Sequence, residues 1–316
     1  VQFTHKDLLG LEELTADEIT HILDTADSFK EISERPIKKV PALRGKTIAN
    51  LFYEPSTRTR ISFELAEKRL SADTINFSKA TSSVVKGESL RDTAENIQAM
   101  KVDIVVMRHS SSGAHRFLSE FLDAAIVNAG DGGHEHPTQA LLDMMTLRQR
   151  WGTFEGKKVT IIGDIMHSRV ARSNIWGLTK MGVEVTVCGP PTMMPVEIER
   201  LGDGGVKIEY DVRKAIAEAD AVNILRIQLE RQKARLFPSL QEYLEVFGIT
   251  ADVLREAPEN CIVMHPGPMN RGVEIAQEVA DGERAVILEQ VTNGVAVRMA
   301  VLFIIAGGKS SVENLE

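Results

Sequence analysis

Short apolar, β-branched runs alternate with helical stretches of roughly 10–15 residues along nearly the whole chain, and this alternation restricts the fold more than any other feature. The runs at 47–53, 74–77, 102–107 and 125–128 predict strands in the first half, and those at 158–162, 184–187, 221–225 and 261–264 predict strands in the second. Helices are predicted between them, at 56–70, 88–100, 113–123 and 137–150, then at 168–181 and 211–219. A capping box, Thr15-Ala-Asp-Glu18, opens an earlier amphipathic helix that Pro36 and Pro41 close near residue 34. Strands that alternate with helices form parallel sheets covered on both faces. The expected class is therefore α/β, with two doubly wound parallel-sheet domains joined by helices and the active site in the cleft. A final helix at 291–305 is apolar almost all round, so it must be buried, and it is expected to pack back on the first domain.

The 316 residues are enough for two domains, and 43% apolar with 26% charged residues is ordinary globular composition. Lysine and arginine total 37 against 45 acids, a net charge of −8. Nucleic-acid and anionic-membrane binding both need a basic surface, so neither is expected. The greasy run at 301–306 is far below the roughly 20 residues that span a bilayer. Two cysteines, Cys188 and Cys261, each border an apolar run and read as buried thiols in a reducing compartment. No charged start leads into an apolar stretch, so the expected location is cytoplasmic.

Several segments carry chemistry. Ser56-Thr57-Arg58-Thr59-Arg60 follows a strand and opens a helix, whose first-turn N–H groups attract phosphate. Hydroxyls add donors, and an arginine forks two hydrogen bonds onto a phosphate. Arg58 and Arg60 point about 200° apart around a helix, so Arg58 is assigned to the anion and Arg60 to an ion pair. The bland alternative is a capped helix with solvated arginines. In the polar loop at 78–87, Ser82 and Lys86 beside Gly87 suit closure over a phosphate, although read alone they describe a solvated loop. Arg108 ends a buried run, where a charge has either a ligand or an ion partner.

Pro137 fits the first position of a helix, and His136 and Gln139 then share one face. An imidazole and an amide there can hydrogen-bond an oxygen and a nitrogen of one small polar group. A metal held by His134 and His136 lacks a third ligand at a recognised spacing, so no metal is expected. Gly163 to Arg169 sits where a dinucleotide fingerprint would, but Asp164, Ile165, Met166 and Ser168 leave no second glycine for pyrophosphate. Arg169 offers a cation at that strand–helix corner. Arg226 and Gln228 fall on one side of another strand end, and two arginines from two strand ends suit a dicarboxylate. A surface position explains either arginine singly. His265-Pro266-Gly267-Pro268 is a rigid turn, compatible with a cis bond before Pro268, whose carbonyls can accept from an N–H2 group.

In order and spacing these segments resemble the aspartate carbamoyltransferase family, part of the aspartate/ornithine carbamoyltransferase superfamily, nearly from end to end. That resemblance implies a carbamoyl-phosphate-binding domain of residues 1–135 plus 291–316, a linking helix at 136–150 and an aspartate-binding domain at 151–290. It implies that Ser56, Thr57, Arg58 and Thr59 hold the phosphate of carbamoyl phosphate. Arg108, His136 and Thr59 would contact the carbonyl oxygen, with Arg58, Thr59, Arg108 and His136 as the catalytic set. Gln139 and the backbone of Pro266 and Gly267 would hold the carbamoyl nitrogen, with Pro268 fixing the turn. Ser82 and Lys86 would come from a neighbouring subunit of a homotrimer with shared active sites. Lys86, Arg169, Arg226 and Gln228 would bind L-aspartate. No cofactor is implied, and association with a regulatory chain or another pyrimidine-pathway enzyme such as dihydroorotase is left open.

The expected reaction transfers the carbamoyl group from carbamoyl phosphate to the amine of L-aspartate in de novo pyrimidine biosynthesis. Ornithine-specific members carry a Ser-Met-Gly segment and a His-Cys-Leu-Pro turn; here the turn has no cysteine, and Ser-Met-Gly is absent. A side-chain carboxylate wants arginine, so Arg226 favours aspartate. The rivals are a transcarbamoylase for another amine and an inactive scaffold. Two small departures from well-studied members are Gly267, which leaves backbone contacts intact, and Val85, which makes Lys86 the loop's only lysine.

Overall fold

The structure, a computed structural model, describes residues 3–78, 89–228 and 239–308. The chain divides into two units, 1–145 with 292–316 and 146–291. Each is taken by itself below.

The first unit opens on α1 (Ala16–Glu34), started by the predicted capping box: Thr15 accepts from Glu18 N–H while the Glu18 carboxylate accepts from Thr15 N–H. Then come β1 (Thr47–Phe52), α2 (Thr57–Arg69), β2 (Asp73–Ser78), α3 (Leu90–Ala99), β3 (Ile104–His109), α4 (Ala114–Ser119), β4 (Ala125–Asp131) and α5 (Pro137–Trp151). The described strands form one parallel sheet in the order β2-β1-β3-β4. Residues 48–52 are buried on both faces, as a strand of a parallel sheet covered by helices must be. Ala49, Leu51, Val105, Met107, Ile97 and Leu118 pack together in one apolar core, and each large side chain so buried contributes roughly 1.5–3 kcal/mol.

The second unit contains β5 (Lys158–Ile162), α6 (Arg169–Lys180), β6 (Glu184–Cys188), β7 (Lys207–Glu209), α7 (Val212–Ile216), β8 (Ala221–Ile224), α8 (Leu240–Phe247), α9 (Ala251–Leu254), β9 (Ile262–Met264) and α10 (Gln277–Ala280). Its sheet, also parallel throughout, has the order β7-β6-β5-β8-β9. Cys188 and Cys261 are buried free thiols, and burial pushes both up to about 12.

The last helix, α11 (Ile287–Ile305), starts in the second unit and lies mostly in the first. Within the first unit it packs as expected: Phe303 meets Phe29 of α1 edge-on at 5.5 Å. It corrects two sequence expectations. The helix begins four residues before position 291, because exposed Leu288 and Val291 occupy its outer face and blur the apolar signal. By length and composition it is also apolar enough to cross a bilayer, although 67% of the relevant window is buried inside the fold. The contiguous run at 301–306 understates it, because isolated polar residues such as Asn293 and Arg298 are themselves buried.

The third strand is shifted as well, at 104–109 rather than 102–107. Lys101 takes a positive φ of 57°, and the Asp103 carboxylate accepts from Thr47 N–H, so the chain turns before it joins the ladder. Strand β7 and helices α8 to α10 were not expected from sequence.

Candidate active site

Each sheet has a point where its strand order reverses, and in open α/β sheets ligands bind outside the carboxyl ends of the strands there. In the first sheet that point lies between β1 and β3. Ser56 to Arg60 follow β1, and Arg108 is one residue from the end of β3.

Ser56 is the N-cap of α2, yet its side chain makes no capping hydrogen bond, and the first turn contains no acid. Thr15, Ser89, Ser168, Ser239 and Thr250 do cap their helices through the side chain. The start of α2 thus combines hydroxyls, first-turn N–H groups and the positive end of the helix dipole with no anion of its own sequence. Thr57 and Arg58 are exposed there, and Thr59 is buried. Arg60 pairs with Glu64 one turn on at 3.4 Å, the ion pair expected for that arginine.

Arg108 is held from two sides. Its Nη1 donates to Ala129 O at 3.2 Å, and its Nε lies 3.2 Å from Glu54 Oε2 as an ion pair. The β3–β4 register slips here: Met107 faces Asn128, whereas His109 faces Asp131. Such a bulge re-aims the side chain beside it. Burial works to raise the Asp131 carboxyl, but hydrogen bonds and charge from His115 and His134 outweigh it and hold Asp131 well below the usual carboxylate range. Asp131 also accepts from Gly113 N–H at 2.9 Å, which fixes the turn after β3.

Pro137 is the first residue of α5, as predicted, with His136 buried immediately before it. Gln139, half-buried in the first turn, donates from Nε2 to Asp143 Oδ1 at 3.0 Å. One N–H of the amide is thereby committed to Asp143, which points the NH2 end along α5 and leaves the carbonyl oxygen on the other side to accept.

In the second sheet the order reverses between β5 and β8. Gly163 follows β5 with φ of 130°, where a Cβ would stand 3.1 Å from Leu225 O and 3.3 Å from the Tyr243 hydroxyl. This glycine serves close packing between neighbouring strand ends. Asp164 then accepts from both the backbone and the ring of His167. Ser168 caps α6, and Arg169, only 4% exposed, is its first residue. A guanidinium at the positive end of a helix is offset by anionic groups. Arg226 and Gln228 follow β8, both half-buried, and Gln228 Nε2 donates to His167 O at 3.3 Å, which ties the two strand ends together.

The turn after β9 is fixed from behind. Gly267 N–H donates to His265 Nδ1 at 2.8 Å, so the ring proton sits on Nε2 and faces Glu274 Oε1 at 3.2 Å. His265 and Glu274 are both fully enclosed, and Gly267 takes φ of 65° before a cis bond to Pro268. Pro266 shares this braced segment.

Ser82 and Lys86 lie outside the described residues. The structure therefore gathers Ser56, Thr57, Arg58, Thr59 and Arg108 at one switch point, and Arg169, Arg226 and Gln228 at the other. His134 draws near Glu12 and Glu135, with ligand atoms within 4.8 Å of one another, and His136 is not in that group. Both Glu135 oxygens accept from Leu11 and Glu12 N–H groups. Sequence reasoning missed Glu54, Asp143 and Glu274, the carboxylates that brace Arg108, Gln139 and His265. The four-residue spacing of Gln139 and Asp143 was the one local signal available.

Two family models match the chain: "Aspartate/ornithine carbamoyltransferase, carbamoyl-P binding domain" over residues 6–149 and "Aspartate/ornithine carbamoyltransferase, Asp/Orn binding domain" over 155–305. The aspartate carbamoyltransferase catalytic subunit of Citrifermentans bemidjiense is 61% identical over 307 residues, 97% of this chain and 98% of that one. The subunit of the same name from Gemmatimonas aurantiaca is 62% identical over 309 residues, 98% and 96% of the two chains. Among solved structures, aspartate transcarbamoylase from Trypanosoma cruzi in complex with carbamoyl phosphate superposes with a TM-score of 0.85 at 29% identity, covering 94% of each chain. Ornithine carbamoyltransferase from Pyrococcus furiosus superposes with a TM-score of 0.87 at 30% identity, covering 98% of this chain and 100% of that one. With both family models matching and near-complete alignment to these relatives, the chain belongs to the aspartate/ornithine carbamoyltransferase family.

Proposed function

We propose that this protein transfers the carbamoyl group from carbamoyl phosphate to the amine of L-aspartate, giving N-carbamoyl-L-aspartate and phosphate in de novo pyrimidine biosynthesis. The backbone fold does not choose between aspartate and ornithine, since members of both kinds superpose equally well. The observation that carries the choice is the pair of arginines, Arg169 and Arg226, at the β5/β8 switch point. A dicarboxylate wants guanidinium partners, whereas the side-chain ammonium of ornithine wants a carboxylate. Identities of about 60% to relatives named aspartate carbamoyltransferase support the same choice.

The first unit serves as the carbamoyl-phosphate-binding domain. Ser56, Thr57, Arg58 and Thr59 hold the phosphate at the start of α2. Thr59, Arg108 and His136 donate to the carbonyl oxygen as it becomes an oxyanion. Gln139, Pro266, Gly267 and Pro268 are assigned to the carbamoyl nitrogen, as the family resemblance implies. Arg169, Arg226 and Gln228 hold aspartate, and the second unit is accordingly the aspartate-binding domain. The deprotonated amine attacks the carbamoyl carbon and forms the C–N bond. The C–O bond to phosphate breaks, and the departing phosphate takes the amine proton. No nucleophilic side chain is required, so the protein acts by alignment and by stabilising developing charge.

Ser82 and Lys86 are assigned to a neighbouring subunit of a homotrimer, Lys86 reaching both substrates. The free buried thiols favour a cytoplasmic location. The test supplies carbamoyl phosphate with either aspartate or ornithine and identifies the product. N-carbamoyl-aspartate with equal phosphate is expected; citrulline, or no turnover with either amine, overturns the proposal.

A further inference from the structure

Gln139 is fastened in a way that fixes more than its position. Its Nε2 donates to Asp143 Oδ1 at 3.0 Å, one turn along α5, and Asp143 is fully buried. A carboxylate only accepts, so the amide has one orientation: N–H2 toward Asp143, Oε1 left as acceptor. Asp143 is in turn matched to a buried cation. The Arg298 guanidinium of α11 is enclosed; burial pushes it down to about 10, and the charge of Asp143 works against that shift. Arg298 Nη1 donates to Ser62 Oγ at 2.7 Å and to Gly294 O at 3.2 Å, and the guanidinium lies over the Phe63 ring at 5.1 Å. Gly294 leaves room for this seat, since a Cβ there would stand 2.7 Å from Nη1. Residues of α2, α5 and α11 thus hold a single charge arrangement behind Gln139.

We infer that Asp143 is a positioning residue which, by fixing the Gln139 amide as an acceptor, makes the enzyme select an acyl phosphate bearing N–H2 over one bearing a methyl group. The inference rests on the proposed role of Gln139 toward the carbamoyl nitrogen. Acetyl phosphate is the matching probe, because it has the same phosphate and carbonyl and replaces only the N–H2. A lone hydrogen bond gives a several-fold preference, and a site whose acceptor is left unpaired by the wrong ligand gives more. The asparagine of Asp143→Asn offers both donor and acceptor, which frees Gln139 to turn.

The experiment measures KM for carbamoyl phosphate, kcat, and inhibition by acetyl phosphate for wild type, Asp143→Asn, Gln139→Ala and the double variant. Wild type is expected to bind carbamoyl phosphate at least about 10-fold more tightly than acetyl phosphate. Asp143→Asn should lose most of that preference, chiefly through KM, and should change it no further in the Gln139→Ala background. Unchanged preference in Asp143→Asn, or an equal loss with Gln139 already removed, overturns the inference. Equal binding of the two acyl phosphates by wild type overturns it even if Asp143→Asn does not fold. Wild type without carbamoyl transfer to aspartate refutes instead the functional proposal on which the inference stands.

Discussion

Glu67 is a carboxyl placed where ionisation is costly. It sits on α2 with no exposed surface, and its Oε2 accepts from Asn50 Nδ2 of β1 at 3.0 Å and Thr74 Oγ1 of β2 at 2.8 Å. Oε1 is buried without a hydrogen-bond partner, the position a carboxyl proton suits. Burial is the main cause that pushes Glu67 from its ordinary 4.5 up to about 7, against the two hydrogen bonds that lower it. Between those values the folded protein holds a proton that the unfolded chain releases. The stability contributed by the neutral carboxyl is therefore complete below pH 4.5 and lost as pH rises through 7. At about 1.4 kcal/mol per pH unit, the loss between pH 5 and pH 8 is about 2.5 kcal/mol. Glu67→Gln keeps the accepting oxygen and does not titrate. Any fixed cost of its extra N–H2 cancels when the two pH values are compared. Urea unfolding followed by circular dichroism, at matched protein concentration, should show Glu67→Gln gaining about 2.5 kcal/mol on wild type from pH 5 to pH 8. A gap that stays constant within about 0.5 kcal/mol would refute the argument that this carboxyl is buried neutral between α2 and the sheet.

Other outcomes follow from the same geometry. Arg58→Ala and Arg108→Ala should each lower turnover by about 100- to 1,000-fold while circular dichroism remains native; near-normal turnover in both would defeat their assignment. Glu274→Ala leaves the His265 Nε2–H and the Asn270 N–H without their shared acceptor, at a cost of about 1–3 kcal/mol each, read as a lowered midpoint in urea. Mixing Lys86→Ala chains with His136→Ala chains should restore activity in hybrid trimers, and hybrids verified by native mass spectrometry that stay inactive would count against a shared site.

Much of the fold was legible because its signals are local. The capping box at Thr15, the helix starts near Ser56 and Ser168 and the β-branched runs at 47–53 and 158–162 announce themselves within a few residues, and the structure places elements there. Strand β7 lies at a sheet edge and has a single apolar residue, Ile208, between Lys207 and Glu209, so it carries no apolar run. Helix α8 had a usable sign, Ser239 followed three residues later by Glu242, which the structure uses as its cap. The positions of Arg108 and Arg226 were legible because a charge at the end of a buried strand is conspicuous. Their braces were not: Glu54 meets Arg108 and Arg298 meets Ser62 across long stretches of chain, so no periodicity marks them.

The central claim is that phosphate-binding and dicarboxylate-binding groups of this chain serve one reaction. A compound joining both functions, N-(phosphonacetyl)-L-aspartic acid, is bound in a solved structure of the Trypanosoma cruzi enzyme. Titration calorimetry of that compound tests the claim most directly. One molecule should bind per chain, and Arg58→Ala and Arg226→Ala should each weaken binding by at least about 100-fold, since each removes a charge-assisted pair. Binding unaffected by either substitution, or by one of them, would contradict the account.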